Sequence, residues 1–188
     1  MTMKKIILSL LLTSSIFLLG SFIQKGYFTN TGKVSFFSTT PVEDIDAVNN
    51  KVTSFLDTDN NTLVFSMAIK DFIFPKSLMQ EHFNENYMDS DKYPKSTFKG
   101  KISNPSAVNF AVDGLYNASI EGDLTIHNVT KTIKATGTFE VKAGKILAKA
   151  KFPVKLADYN VEIPSIVFQK IAETVQVTVD LSYDPYTK

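Results

Sequence analysis

The chain has 188 residues, a formal net charge of +1, 44% hydrophobic residues, no Cys, no Arg and two His. Disulfides, thiolate metal sites, Cys nucleophiles and an N-terminal lipobox are excluded outright, and two His do not suffice for a multi-histidine metal centre. Without the bidentate Arg clamp, and without any long basic block, nucleic acid is not an expected partner.

Residues 1–22 read as a secretory signal peptide: Lys4 and Lys5 form the positive end, Ile6 to Leu19 is apolar, and Gly20 and Ser21 supply small residues for cleavage. The apolar run is shorter than the roughly 20 residues of a membrane span; an uncleaved anchor is the other reading. Loss of this segment takes the formal net charge from +1 to −1. The domain is then 23–188, in the periplasm or outside the cell.

Gly32 to Ser38 reads as the first strand. Thr40 and Pro41 suit a turn or a short helical start, since Thr can cap and Pro fits the first helical position. Ala47 to Leu56 is a less regular strand, closed by the turn cluster Asp57-Thr58-Asp59-Asn60-Asn61. That cluster does not complete a calcium loop and is expected to be a solvated hairpin turn. Thr62 to Lys70 is a strand with Leu63, Phe65, Met67 and Ile69 on one face. Pro75 stops it. Ser77 and Gln80 have the spacing of a capping box, which predicts a short helix from Leu78 to Asn86 with an apolar stripe of Leu78, Met79, His82 and Phe83.

Thr97 to Ile102 is a further strand, with Phe98, Gly100 and Ile102 on one side. Val108 to Val112 is either a short strand or an extended loop. Three long segments of period two follow. Tyr116, Ala118, Ile120, Gly122, Leu124 and Ile126 share one face of the first; Ile133, Ala135, Gly137, Phe139 and Val141 of the second; Ile146, Ala148, Ala150, Phe152, Val154 and Leu156 of the third. Their short links predict antiparallel neighbours, and Lys142-Ala143-Gly144-Lys145 carries the glycine a tight hairpin favours. Pro164 and Ser165 can start a short helix over a barrel mouth. Val175, Val177, Val179, Leu181 and Tyr183 alternate in a closing strand.

The pattern is all-β: about eight antiparallel strands with one or two short helices. Closure into a barrel removes exposed edges, and eight strands enclose packed side chains or one ligand. The inward series is rich in small residues. Such residues either leave an apolar cavity or serve the taper of a filled barrel. No triad, nucleophile elbow or phosphate-binding glycine loop accompanies them, so an enzyme is not expected.

Two stretches resemble the YceI-like family of bacterial exported proteins. One is Phe72 to Met88 followed by Tyr93 to Gly100, with the helix before a Pro-x-x-x-Phe strand, in the version found in Bacteroidetes-type members. The other is Gly122-Asp123-Leu124-Thr125-Ile126-His127-Asn128-Val129-Thr130-Lys131, similar to the family's Gly-x-Leu-Thr-Ile-x-Gly-Val-Thr-Lys. The resemblance runs over roughly residues 33 to 183. It departs at Asn128, where Gly is usual, and in lacking the family's Arg-Asp pair after the third strand. It implies an eight-stranded lipocalin-like barrel that holds a polyisoprenoid or similar long amphiphile for transport, storage or sequestration, with no cofactor or metal. A homodimer is a state the resemblance allows, since family members can dimerise, but no stretch of the sequence announces an interface. The expected lining is Phe65, Met67, Ile69, Phe98, Ile120, Ala135, Gly137, Phe139, Ala148, Ala150 and Phe152, with Leu78, Met79 and Phe83 closing one end. A structural or interaction module of the envelope with a filled barrel is the alternative.

Overall fold

The computed structural model describes residues 26–186, so the signal peptide expected over 1–22 lies outside the described residues. Eight strands close a single antiparallel barrel in chain order: β1 (Gly26–Thr39), β2 (Asp44–Asp57), β3 (Thr62–Ala68), β4 (Lys95–Ile102), β5 (Gly114–Ile126), β6 (Val129–Lys142), β7 (Lys145–Lys155) and β8 (Thr174–Tyr186), with β8 pairing back onto β1. The expected all-β barrel is therefore the fold. β1 begins six residues earlier than Gly32, and Val108 to Val112 is loop rather than strand.

Period two in sequence becomes inside and outside in the barrel. On β7 the odd residues Lys145, Lys149, Lys151 and Lys155 are exposed, while Ile146, Ala148 and Val154 are buried. The β5–β6 ladder runs from Gly114↔Val141 to Ile126↔Val129 without a slip. It closes through His127 and Asn128, both at positive φ (48° and 60°), the signature of a two-residue type I′ turn whose twist matches the strands. The β6–β7 turn repeats this with Ala143 at φ 50° and Gly144 at φ 76°.

Two expected turns form, and three other local expectations are corrected. Thr40 caps a turn, not a helix: its hydroxyl accepts from Val42 and Glu43 N–H at 3.2 and 3.1 Å. Asp57 organises the next turn by accepting from the N–H groups of Asp59 and Asn60. The third strand ends at Ala68, and Ile69–Asp71 is a 3₁₀ turn. Helix α1 (Ser77–His82) continues through a wider π turn, Phe83–Tyr87. Ser77 forms no capping box. Lys76 occupies the cap position without a side-chain bond, and the Gln80 side-chain oxygen accepts from Phe74 N–H at 3.2 Å instead.

β3 and β4 have 7 and 8 residues, against 11 to 14 for the other strands. β3 therefore pairs with β2 only from Thr53 to Asp57. The segment from Ile69 to Pro94 fills the remaining stretch of wall. It is pinned by the Val48↔Ile73 bridge and by buried Asn49, whose side-chain amide donates to Ala68 O at 2.8 Å.

Candidate functional site

The barrel interior divides into two halves. The half holding the β2–β3 and β6–β7 turns is solid: Leu56, Ile102, Phe139, Val141, Ile146, Leu181 and Tyr183 are all buried there. Ser54 has one hydroxyl hydrogen, which goes to Val64 O at 2.8 Å; Tyr183 therefore donates its own to Ser54 Oγ at 2.6 Å. Burial pushes the Tyr183 phenol up to about 12, the Ser54 contact opposing this in part.

The other half, at the α1 end, holds a cavity of about 460 Å³, within the roughly 300–1,000 Å³ range of small-molecule sites. Val34, Phe65, Leu124 and Val179 lie deepest along their strands. Above them come Phe36, Met67, Ile69, Ile126, Phe152, Val154, Val175 and Val177, and residues 72–88 of the Ile69–Pro94 segment, the lid of the cavity, add Phe72, Phe74, Leu78, Met79, Phe83, Tyr87 and Met88. The 156–171 connection supplies Leu156, Tyr159, Val161, Val167, Lys170 and Ile171. Phe36, Phe72, Phe74 and Phe83 form one aromatic cluster with centroids 5.1 to 5.8 Å apart, which fastens the lid to β1.

Of the residues expected to line a cavity, Phe65, Met67, Ile69, Leu78, Met79, Phe83 and Phe152 do line it. Phe98, Ile120, Ala135, Gly137, Phe139, Ala148 and Ala150 do not, and the reason is steric. Phe98 stacks behind Phe65, 5.3 Å between centroids and 18° between planes, and closes the cavity floor. Its ring lies against Gly122, where a Cβ would meet Phe98 Cζ at 2.7 Å and Gly100 Cα at 2.4 Å. A Cβ on Gly137 would meet Lys149 O at 2.4 Å. Ala148 stands opposite Phe139 and Leu181 in the solid half. These small residues allow close approach of strands and rings and add nothing to this cavity; Ala118 and Gly137 line a separate, more open recess with Asn104, Asn117 and Ser119.

The cavity's polar atoms fall into three groups. Buried Ser96 donates to Thr125 O at 2.7 Å and buried Ser38 accepts from Ala172 N–H at 2.9 Å, so both are satisfied. Lys76, His82 and Lys170 stand on the exposed rim, with Lys76 held by Glu43 at 3.1 Å. Tyr87 and Tyr159 are the third group. Burial raises both phenols, and the Asp158 charge raises Tyr159 further, so both stay protonated at neutral pH. His127 lies outside the cavity, with Nδ1 3.3 Å from Tyr159 O and Nε2 3.5 Å from Asp89. Because a carbonyl only accepts, Nδ1 carries the proton in that contact.

Sequence reading did not reach Phe36, Phe72, Phe74, Tyr159 and Val161. For Phe36 the signal was present, since Val34, Phe36 and Ser38 share one parity of β1. Tyr159 and Val161 sit in a connection without periodicity. Among the described residues no three His, Asp or Glu side chains converge as a metal site.

Several solved structures share the fold, three of which follow. A polyisoprenoid binding domain from Saccharophagus degradans, implicated in plant cell wall breakdown, aligns with a TM-score of 0.74 at 14% identity, over 87% of this chain and 99% of that one. Burkholderia cenocepacia BcnA aligns at 0.68 and 19% identity, over 80% and 95%. A Campylobacter jejuni YCEI protein aligns at 0.54 and 15% identity, over 100% and 92%. No curated protein matches the chain. The family model of the YceI-like domain matches residues 18–183. With nearly the whole barrel inside that match, the chain belongs to the YceI-like domain family.

Proposed function

We propose that the protein is a non-catalytic binding protein that holds a long apolar ligand, a polyisoprenoid or similar amphiphilic lipid, in the α1 half of its barrel. The observation that carries this reading is a large, almost wholly apolar cavity closed below by Phe65 and Phe98 and roofed by a separate lid. An apolar tail placed there gains about 25 cal/mol per Å² of surface removed from water, offset by the cost of ordering it. Membership of the family, and the polyisoprenoid-binding description of the S. degradans domain, support the same ligand class. We assign the protein to the periplasm or the extracellular space, after removal of residues 1–22, and give it a role in transport, storage or sequestration.

Native mass spectrometry of the mature protein, followed by organic extraction, tests the reading. A stoichiometric adduct of several hundred daltons that extracts as an apolar chain is the expected result. A mass that stays that of protein alone, even after incubation with isoprenoids and fatty acids, overturns it in favour of an interaction module of the envelope.

A further inference from the structure

His127 is a buried titratable side chain that the cavity itself does not use. It sits in the β5–β6 turn with its side chain only 14% exposed, where three segments meet. Nδ1 donates to Tyr159 O on the 156–173 connection at 3.3 Å. The Tyr93 ring, on the Ile69–Pro94 segment, stands edge-on to the imidazole with centroids 4.7 Å apart. Nε2 faces the Asp89 carboxylate of the same segment at 3.5 Å, and it is buried with no hydrogen-bond partner among the described residues. Because the proton of a neutral ring is on Nδ1, Nε2 then turns a lone pair toward a carboxylate that also only accepts. The imidazolium alone has a donor for both contacts. Ile126 and Met88, next in sequence to His127 and Asp89, line the cavity, as does Tyr159, so this junction lies on the cavity wall.

Resting on the lipid-holding reading, we propose that His127 is a proton-operated latch on the cavity. Its imidazolium ties the Ile69–Pro94 segment, through Asp89, and the 156–173 connection, through Tyr159 O, to the β5–β6 turn. Closing takes up a proton, so closure is firm in acid and is lost as pH rises through the imidazole range of about 5 to 8. The other charges around the ring do not replace this pairing. Lys92 is held over the Tyr93 ring, 4.9 Å from its centroid, and Asp91 pairs with Lys70. Asp158 precedes Tyr159 and helps raise its phenol, which stays protonated across this range. On the hairpin itself the nearest charges in sequence, Asp123 and Lys131, are exposed.

The test measures amide deuterium exchange of ligand-free mature protein at pH 5.5 and 8.0, corrected for the intrinsic pH dependence of exchange. It then follows release of N-phenyl-1-naphthylamine, an uncharged fluorescent probe. In wild type, protection over Phe72–Tyr87 is expected to be about tenfold higher at pH 5.5, with β5 and β6 unchanged. That is the worth of one charge-assisted hydrogen bond to a half-exposed partner. Probe release is slower at pH 5.5 by the same factor. Asp89→Asn is expected to remove the difference and keep the lid protected at both pH values, because an amide accepts from the imidazolium and donates to neutral Nε2. His127→Asn suits the positive φ of the turn and is expected to leave the lid at its pH 8.0 level throughout. Equal protection at the two pH values in wild type overturns the inference. So does a difference that survives in His127→Asn, which assigns it to another group such as His82 on the rim. A pH-dependent lid with pH-independent probe release overturns the gating role. If the probe binds at neither pH while the lid difference is present and both variants abolish it, the latch stands and the lipid-holding reading falls.

Discussion

Tyr183 is the residue on which the solid half of the barrel turns. It is fully buried, donates to Ser54 and titrates at about 12. The raised value favours the protonated phenol in the folded state, so the stabilisation is complete below the unfolded value near 10 and is lost as pH climbs toward 12. Stability is therefore expected to fall by about 1.4 kcal/mol per pH unit across that window. Tyr183→Phe should flatten this dependence in urea melts at pH 9 to 12. At neutral pH the same variant should cost about 1 kcal/mol, read as a melting temperature roughly 2–4 °C lower, because Ser54 Oγ loses its donor. Single residues of this kind were only partly legible in the sequence. The strand alternation put Tyr183 inside but said nothing of Ser54, 129 positions away. His127 stood in the sequence only as one letter of a motif, while its contact with Tyr159 O crosses from the β5–β6 turn to an aperiodic connection.

Elements carried the clearest signal. Alternation over Tyr116 to Leu156 assigned three strands and their inner faces, because a half-buried strand must repeat every two residues. The meaning of the small inner residues was misjudged, since composition cannot distinguish empty volume from close approach. The distinction has a direct test. Gly137→Ala should destabilise by about 1–3 kcal/mol in chemical denaturation, because its Cβ would sit 2.4 Å from Lys149 O. Phe at Gly137 or Ala148 should prevent folding outright, not merely exclude ligand. The β6–β7 turn offers the opposite sign. Ala143 holds φ 50°, where a β-carbon is penalised and Asn is tolerated. Ala143→Asn creates the Asn-Gly pair that type I′ turns prefer and should stabilise by about 0.5–1 kcal/mol, seen as a higher urea midpoint at unchanged m. The helix was legible, its cap was not: Gln80 has a better partner in Phe74 N–H than any local one.

Across the whole molecule the division into a packed half and a hollow half decides what each substitution does. Val177 lines the cavity between its neighbours Phe36 on β1 and Phe152 on β7. Val177→Phe grows into open space, so it should leave the melting temperature within about 2 °C while reducing lipid retention by tenfold or more, measured by extraction from purified protein. The barrel class was legible because eight antiparallel strands have few ways to hide their edges. The division was not, because it depends on which side chains from remote strands meet at one level, as Phe65 and Phe98 do.

The short β3 and β4 have a further consequence. Where the wall is sheet, each strand is held on both sides by a ladder, thirteen residue pairs long between β5 and β6. Where it is the Ile69–Pro94 segment, the backbone is tied to the barrel by Val48 and Ile73 exchanging two bonds, with the exposed Lys51–Asp71 and Lys76–Glu43 pairs beside them. Aromatic packing, more than backbone hydrogen bonding, keeps that stretch shut. Such a region opens sub-globally at a free energy well below that of global unfolding. Amide deuterium uptake over Phe72–Tyr87 should run orders of magnitude ahead of β5 and β6, and should slow when cargo is bound. That outcome is what cargo entering from the side, past an intact hydrogen-bonded frame, predicts.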